Sequence, residues 1–385
     1  MSAGPAGPVA VTRRFSGQRE AAVAPIDSVE LPESQAALRQ MSLERLMAYG
    51  VHHADAIELR GRVATGEQWQ EVAADLAETC LAPPEFSVSP ESDATRANRL
   101  FRAAALLRMS QMMMVDNTPE RSEIFAAAGK LYEQAAAITG DRRRLNIETV
   151  EGVVTGWFFT ARAPVVGRVA IIGGIEGWAM DFDHLAEPLA QRGVETLLLD
   201  GPGQGESRMV HGTYLTHNWP AVYGAVFDAL AAMSPAMPLG MIGNSMGGAF
   251  AMHLARTDHR IAALCNNGGS PEPGVDLGES TMSRKMRAHT GLTSFVDSRQ
   301  VWASAVPIDA DAPVPCPLLV VQGGRDPIIT AEAAQAMFEA GSSEDRHLVT
   351  FDDGDHCIYN HADDKTALIG DWMASRLKSA HRADH

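Results

Sequence analysis

Gly243-Asn244-Ser245-Met246-Gly247 constrains this chain more than any other stretch, because it sets a serine between an apolar run, Leu239 to Ile242, and the small-residue run Gly248-Ala249-Phe250-Ala251-Met252. A buried strand that passes straight into an Ala-rich helix needs a sharp turn at the join. Glycines two positions either side let strand and helix pass closely, and the serine between them takes a strained backbone that projects its hydroxyl. The helix N-terminus then offers unpaired N–H groups, that of Met246 among them, to a negative charge developing nearby. Serine in this context reads as a nucleophile. A glycine-rich turn that merely contains a serine is the plain alternative.

A nucleophilic serine needs a base and an acid, and both follow it along the chain. Leu318 to Gln322 is a continuous apolar strand ending at Gly323-Gly324, with Arg325-Asp326-Pro327 at its carboxyl end. Asp326 is the expected acid, against the plainer role of capping a helix that begins at Pro327. The strand His347 to Phe351 leads through Asp352-Asp353-Gly354-Asp355 to His356, the expected base. Asp352, Asp353 and Asp355 are alternative carboxylates, but they neighbour His356 in an evident turn. His347 and His361 read as structural or surface histidines. His184, His211, His217, His253, His259 and His289 show no spacing that argues for a metal, and no cofactor is expected.

A tetrahedral oxyanion needs a second donor, expected from the backbone N–H of Ile175, just after the strand Val169 to Ile172 and Gly173-Gly174. Glu176 follows, and a carboxylate there opposes the charge that forms. It either lies near His356 and raises its basicity, or points to solvent or pairs with an arginine. Trp178 reads as a wall of the substrate pocket or simply as a buried ring.

Gly173-Gly174-Ile175-Glu176, Asp200-Gly201-Pro202-Gly203-Gln204-Gly205-Glu206-Ser207, Gly243 to Gly248, Gly323-Gly324-Arg325-Asp326 and Gly354-Asp355-His356 together resemble the FrsA-like branch of the α/β-hydrolases. Within it, the similarity is to the 2,6-dihydroxypseudooxynicotine hydrolase group and to polyketide-shortening hydrolases. It covers most of the chain after about Ser89. The resemblance implies Ser245 as nucleophile, Asp326 as acid and His356 as base, with Glu176 as an extra glutamate that makes the histidine more basic. It also implies cleavage of carbon–carbon bonds in 1,3-dicarbonyl or phenolic ketone substrates, or simple ester hydrolysis.

The 385 residues exceed one minimal catalytic domain of this kind, so an addition is expected. Residues 1–30, rich in Ala, Gly and Pro, read as a loose N-terminus. Residues 31–140 show helical periodicity with a break at Pro83-Pro84, and read as a cap over the sheet or a packed appendage. Met112-Met113-Met114 within them reads as helix core. From 141 to 385 a hairpin at Leu145–Val150 and Val153–Phe159 leads into alternating strands and helices. The expected fold is therefore α/β, a doubly wound and mostly parallel sheet, with an insertion at about 270–315 lining the substrate entrance.

A formal net charge of −16 argues against nucleic acid and against anionic membranes, both of which reward basic faces. Cys80, Cys265, Cys316 and Cys357 have no paired spacing, and no apolar run reaches signal-peptide or membrane-spanning form, so a cytoplasmic protein is expected. The expected partner is a small molecule, and the sequence leaves a homodimer open. Three functions fit: a serine hydrolase of C–C bonds or esters, a lyase that eliminates an acyloxy group on the same scaffold, and a binding protein that keeps the pocket without turnover.

Overall fold

Apolar runs flanked by glycines become the strands of one nine-stranded sheet in the computed structural model, which describes residues 7–13, 33–82, 88–271, 280–305 and 312–383. The chain starts with β1 (Val9–Arg13). Six helices follow: α1 (Glu33–Gln40), α2 (Leu43–Ala48), α3 (His53–Ala64), α4 (Trp69–Leu81), α5 (Asp93–Ser110) and α6 (Pro119–Thr139). Thr118 caps α6 by accepting the Arg121 N–H at 3.2 Å, and Gly140 ends it in the left-handed region at φ 68°. That cap is where the helical period gives way to the hairpin β2 (Arg142–Thr149) and β3 (Gly152–Phe159).

The alternating part runs β4 (Gly167–Ile172), α7 (Asp183–Gln191), β5 (Val194–Asp200), α8 (Gly205–Met209), α9 (Trp219–Met233), β6 (Leu239–Asn244), α10 (Met246–Thr257) and β7 (Ile261–Asn267). Next come α11 (Thr281–Thr290), α12 (Phe295–Ala305), β8 (Leu318–Gly323), α13 (Ala331–Glu339), β9 (Arg346–Phe351) and α14 (Ala362–Ala383). The sheet order is β1-β9-β8-β7-β6-β4-β5-β3-β2. All neighbours pair in parallel except β5 with β3 and β3 with β2. Strands β4, β6 and β8 are buried throughout, as continuous apolar runs covered on both faces must be.

Two expectations change at the N-terminus and after β8. Residues 9–13, expected within a loose segment, pair with β9 from Val9↔His347 to Arg13↔Phe351. The open edge of β9 supplies unpaired backbone groups that the extended Val-Ala-Val-Thr-Arg run satisfies. No helix begins at Pro327; α13 begins at Ala331, capped by Thr330, whose side chain accepts the Ala333 N–H at 3.2 Å. The Pro83-Pro84 break and residues 272–279 and 306–311 of the 270–315 stretch lie outside the described residues.

The N-terminal helices build an apolar cluster that reaches the loop after β9. Leu46, Tyr49, Trp69, Leu106 and Met109 pack in one apolar cluster with Cys357 and Tyr359, the residues just after His356. Phe125 and Tyr132 of α6 join a second cluster with Trp157, Trp178 and Phe182 beneath the sheet's other helices. Two buried ion pairs cross the same boundary. Arg108 of α5 donates to Asp181 at 2.9 Å, and Arg121 of α6 donates to Glu176 at 2.9 Å.

Candidate functional site

At the carboxyl end of β6 the chain turns within one residue into α10, and Ser245 sits at the turn with φ 56° and ψ −125°. That conformation costs a non-glycine residue on the order of 1–3 kcal/mol. Close passage explains the flanking glycines. A Cβ at Gly243 would lie 2.2 Å from the Gly247 carbonyl oxygen, and one at Gly247 would lie 2.4 Å from that of Ile172.

Three strand ends converge here. His356 Nε2 lies 2.9 Å from Ser245 Oγ, and His356 Nδ1 lies 2.8 Å from Asp326 Oδ2. In the matching tautomer, Nδ1–H donates to the carboxylate and Nε2 accepts from the serine hydroxyl. Asp326 also keeps the plainer role, since its Oδ1 accepts the N–H groups of Ile328 and Ile329 at 2.8 and 2.9 Å. The bonds rigidify the carboxylate that faces the histidine. The alternative carboxylates are occupied: Asp353 meets His361 Nε2 at 2.6 Å, and Asp355 accepts the Tyr359 N–H at 2.6 Å.

The loop that carries His356 is itself strained. Cys357 and Ile358 both take positive φ, 61° and 58°. Lys365 Nζ holds the Cys357 carbonyl at 2.9 Å, and the Tyr359 hydroxyl meets that of Tyr49 at 3.0 Å. Burial opposes a charged imidazole, but the Cys357 sulfur and the Asp326 carboxylate outweigh it and raise His356 from 6.5 to about 10.

The second donor loop is fixed by its carbonyls. Gln204 Nε2 donates to the Gly173 and Gly174 oxygens at 3.0 and 2.8 Å, and His289 Nε2 meets the Ile175 oxygen at 2.8 Å. A Cβ at Gly174 would stand 3.0 Å from Ser245 Cβ and 3.3 Å from its Oγ, so this loop passes directly over the hydroxyl. Met246 opens α10, and its N–H belongs to the helix's first, unpaired turn. Ile175, Ser245, Met246 and His356 are all partly exposed, which leaves the serine reachable.

A sharp serine turn after β6 of a mostly parallel sheet, with Asp326 after β8 and His356 after β9, is the arrangement of the α/β-hydrolase fold. The chain has the α/β-hydrolase fold. Residues 163–266 of this chain match the family described as serine aminopeptidase, S33. The 2,6-dihydropseudooxynicotine hydrolase of Paenarthrobacter nicotinovorans is 22% identical over 338 residues, covering 86% of this chain and 90% of the relative. The crystal structure of a 2,6-dihydroxy-pseudo-oxynicotine hydrolase superposes with a TM-score of 0.76 at 22% identity, over 88% of this chain and 96% of that one. AbyA5 gives 0.63 at 18% identity, over 82% and 92%.

Glu176 follows the plainer reading in its arginine form: it pairs with Arg121 rather than lying against His356 or facing solvent. It is 3% exposed, so it does not point to solvent, and the ring nitrogens of His356 bond to Asp326 and Ser245 instead. Its Oε2 accepts from Arg121 Nη2, while its Oε1 is buried without a hydrogen-bond partner. An arginine that carries the opposite charge in contact offsets much of the field Glu176 would exert on His356. Trp178 also needs correction as a substrate contact. Its ring is buried edge-on against Phe125 and carries the guanidiniums of Arg121 and Arg208 at 5.1 and 5.2 Å.

Sequence reasoning missed Arg121, Arg208, Lys285, His289 and Gln204. A signal existed in Arg208, a charged residue three positions after Gly205 of the Gly203-Gln204-Gly205 turn, but its surroundings include residues of α6 and α11, which are distant in sequence. Among the described residues no group of His, Cys, Asp and Glu could hold a metal, and no helix is long and apolar enough to cross a membrane.

Proposed function

We propose that this protein is a serine-dependent hydrolase of the α/β-hydrolase family that cleaves the C–C bond of a 1,3-diketone or acyl-phenol substrate through an acyl-enzyme, and also accepts esters. The observation that carries this reading is the unbroken chain Asp326–His356–Ser245 at 2.8 and 2.9 Å beneath the Gly174–Ile175 loop. The similarity to a hydrolase of 2,6-dihydropseudooxynicotine supports the substrate class.

Ser245 Oγ attacks the carbonyl carbon while His356 Nε2 takes the hydroxyl proton. The N–H groups of Met246 and Ile175 receive the oxyanion. When the C–C bond breaks, its electron pair leaves on carbon, which only an enolate or phenol tautomer can delocalise; His356 returns its proton to that carbon. Water, deprotonated by His356, then releases the acid and restores Ser245. A histidine held above its ordinary pKa is a stronger base toward the Ser245 hydroxyl once it is neutral, a correspondingly weaker proton donor to the carbon leaving group, and available as a base only at higher pH.

Turnover of 1-phenyl-1,3-butanedione in 18O-labelled water tests the reading. One 18O in the released carboxylic acid is expected. Absence of acid and ketone products from the diketone would reject the C–C hydrolase reading.

A further inference from the structure

Next to the oxyanion loop lies a set of cations that the proposed acyl transfer does not use. Arg208 is 2% exposed, and its Nε, Nη1 and Nη2 atoms are all buried with no hydrogen-bond partner. Proteins rarely leave five N–H donors unmet, because each unmet buried polar group costs on the order of 1–3 kcal/mol. Arg208 stacks on Trp178 and faces Glu176, Arg121, Tyr214 and Asp200. Lys285 of α11 faces the same Glu176 together with Arg45, Arg121 and Arg208, and is partly exposed.

The two acids in this group do not balance it. Glu176 gives one oxygen to Arg121. Asp200 takes the N–H groups of Ala179 and Glu206 at 2.8 and 2.9 Å, and burial lifts its carboxyl to about 7. His289 adds no charge, since burial and Arg208 push it well below its ordinary value; its Nδ1 is another buried atom without a partner. Burial likewise pushes Arg208 down to about 9. Arg121 and Arg45 are spoken for: Arg121 bonds to Gln111, the Val115 carbonyl and Glu176, and Arg45 to Tyr49 and the Gln40 carbonyl. Arg208 and Lys285 are the cations left to serve something else.

Resting on the hydrolase reading above, we propose that Arg208 and Lys285 form an anion subsite beside the oxyanion loop, which binds a carboxylate carried by the substrate. The neighbourhood is positive in a chain of formal net charge −16, so the field that draws an anion is confined to the site. The planar fork of Arg208 suits a bidentate carboxylate, and Lys285 adds a point charge that reaches the partly exposed side. Glu176 and the Trp178 ring hold the guanidinium in place while it is unloaded.

The test compares kcat/KM for mono-4-nitrophenyl glutarate with that for 4-nitrophenyl butyrate, a neutral ester of similar reach. The glutarate is expected to be preferred by on the order of 10- to 100-fold, as a charge-assisted bidentate contact gives. Arg208→Met and Lys285→Met each collapse the ratio, whereas Arg284→Met, on an exposed position of the same helix, keeps it. A positioning or packing role would instead lower Tm and reduce both esters in parallel. Removing a buried charge that lacks a partner is expected to hold or raise Tm.

A wild-type ratio of one or less overturns the subsite, as does a ratio that survives Arg208→Met. If neither ester turns over, the hydrolase reading fails separately, and calorimetric titration of the Ser245→Ala protein decides. Glutarate binding that glutaramide does not match, lost with Arg208→Met, supports the subsite; equal or absent binding of the two overturns it.

Discussion

The triad side of the site and its arginine side are built on opposite terms. Around Ser245, Asp326 and His356, both imidazole nitrogens and both Asp326 oxygens are bonded, and the strain sits in the backbone at Ser245, Cys357 and Ile358. Around Glu176 and Arg208, polar atoms are buried without partners: Glu176 Oε1, the three Arg208 nitrogens, Trp178 Nε1 and His289 Nδ1. One side holds its reacting atoms ready before substrate arrives. The other is left incomplete by its own chain, which is the condition for a group that substrate completes. The two sides meet at Ile175 and Glu176, adjacent in sequence and opposite in task.

Breaking the triad side should give the largest effect. Ser245→Ala should lower kcat for acyl transfer by on the order of 10⁴-fold or more while leaving the unfolding midpoint near wild type, because it removes the attacking atom and relaxes little else. Steady-state kinetics and thermal melts check both parts. Retained activity would move the chemistry off this residue.

At Arg121 the arginine side should fail in stability before it fails in chemistry. Arg121→Met takes from buried Glu176 the cation that hydrogen-bonds it and should cost about 3–5 kcal/mol in urea unfolding. The double change Arg121→Met with Glu176→Gln should recover most of that, since both charges leave together. Additive losses in the cycle would mean that the 2.9 Å pair is not the reason for the cost.

The pH dependence separates the two sides further. Because His356 is raised to about 10, the acidic limb of kcat/KM should lie well above the ordinary histidine value of 6.5, where the neutral imidazole first becomes available. In stability the sign is opposite: the imidazolium's contribution is complete below its unfolded value and is lost as pH rises through about 10. His356→Gln should therefore flatten the alkaline fall in unfolding free energy. A smaller effect is expected from Tyr49→Phe, which removes the hydroxyl contacts to Tyr359 and Arg45 at 3.0 Å each. It should cost about 1 kcal/mol and lower kcat/KM several-fold by loosening the loop that carries His356.

The triad was legible because each member is announced locally, by an apolar strand, a glycine pair and a turn. Ser245, Asp326 and His356 could be placed without knowing what packs on them. The hairpin β2–β3, helix α9 and the buried strands were legible for the same reason. Arg121 was not, because its partner lies 55 positions away and only the docking of α6 brings them together. Strand β1 was hidden in a segment of loop-like composition, and its pairing depends on an edge more than 330 residues downstream. Glu176 and Trp178 were noticed, but their tasks depend on which cation neighbours them, and sequence spacing carries no information on that.

The most direct measurement is intact-protein mass spectrometry after brief mixing with 1-phenyl-1,3-butanedione and with 4-nitrophenyl butyrate, on wild type and on Ser245→Ala. An acyl mass added to wild type and missing from Ser245→Ala is the predicted result for both substrates. The same adduct on both proteins, or turnover by Ser245→Ala at the wild-type rate, would contradict an acyl-enzyme at Ser245.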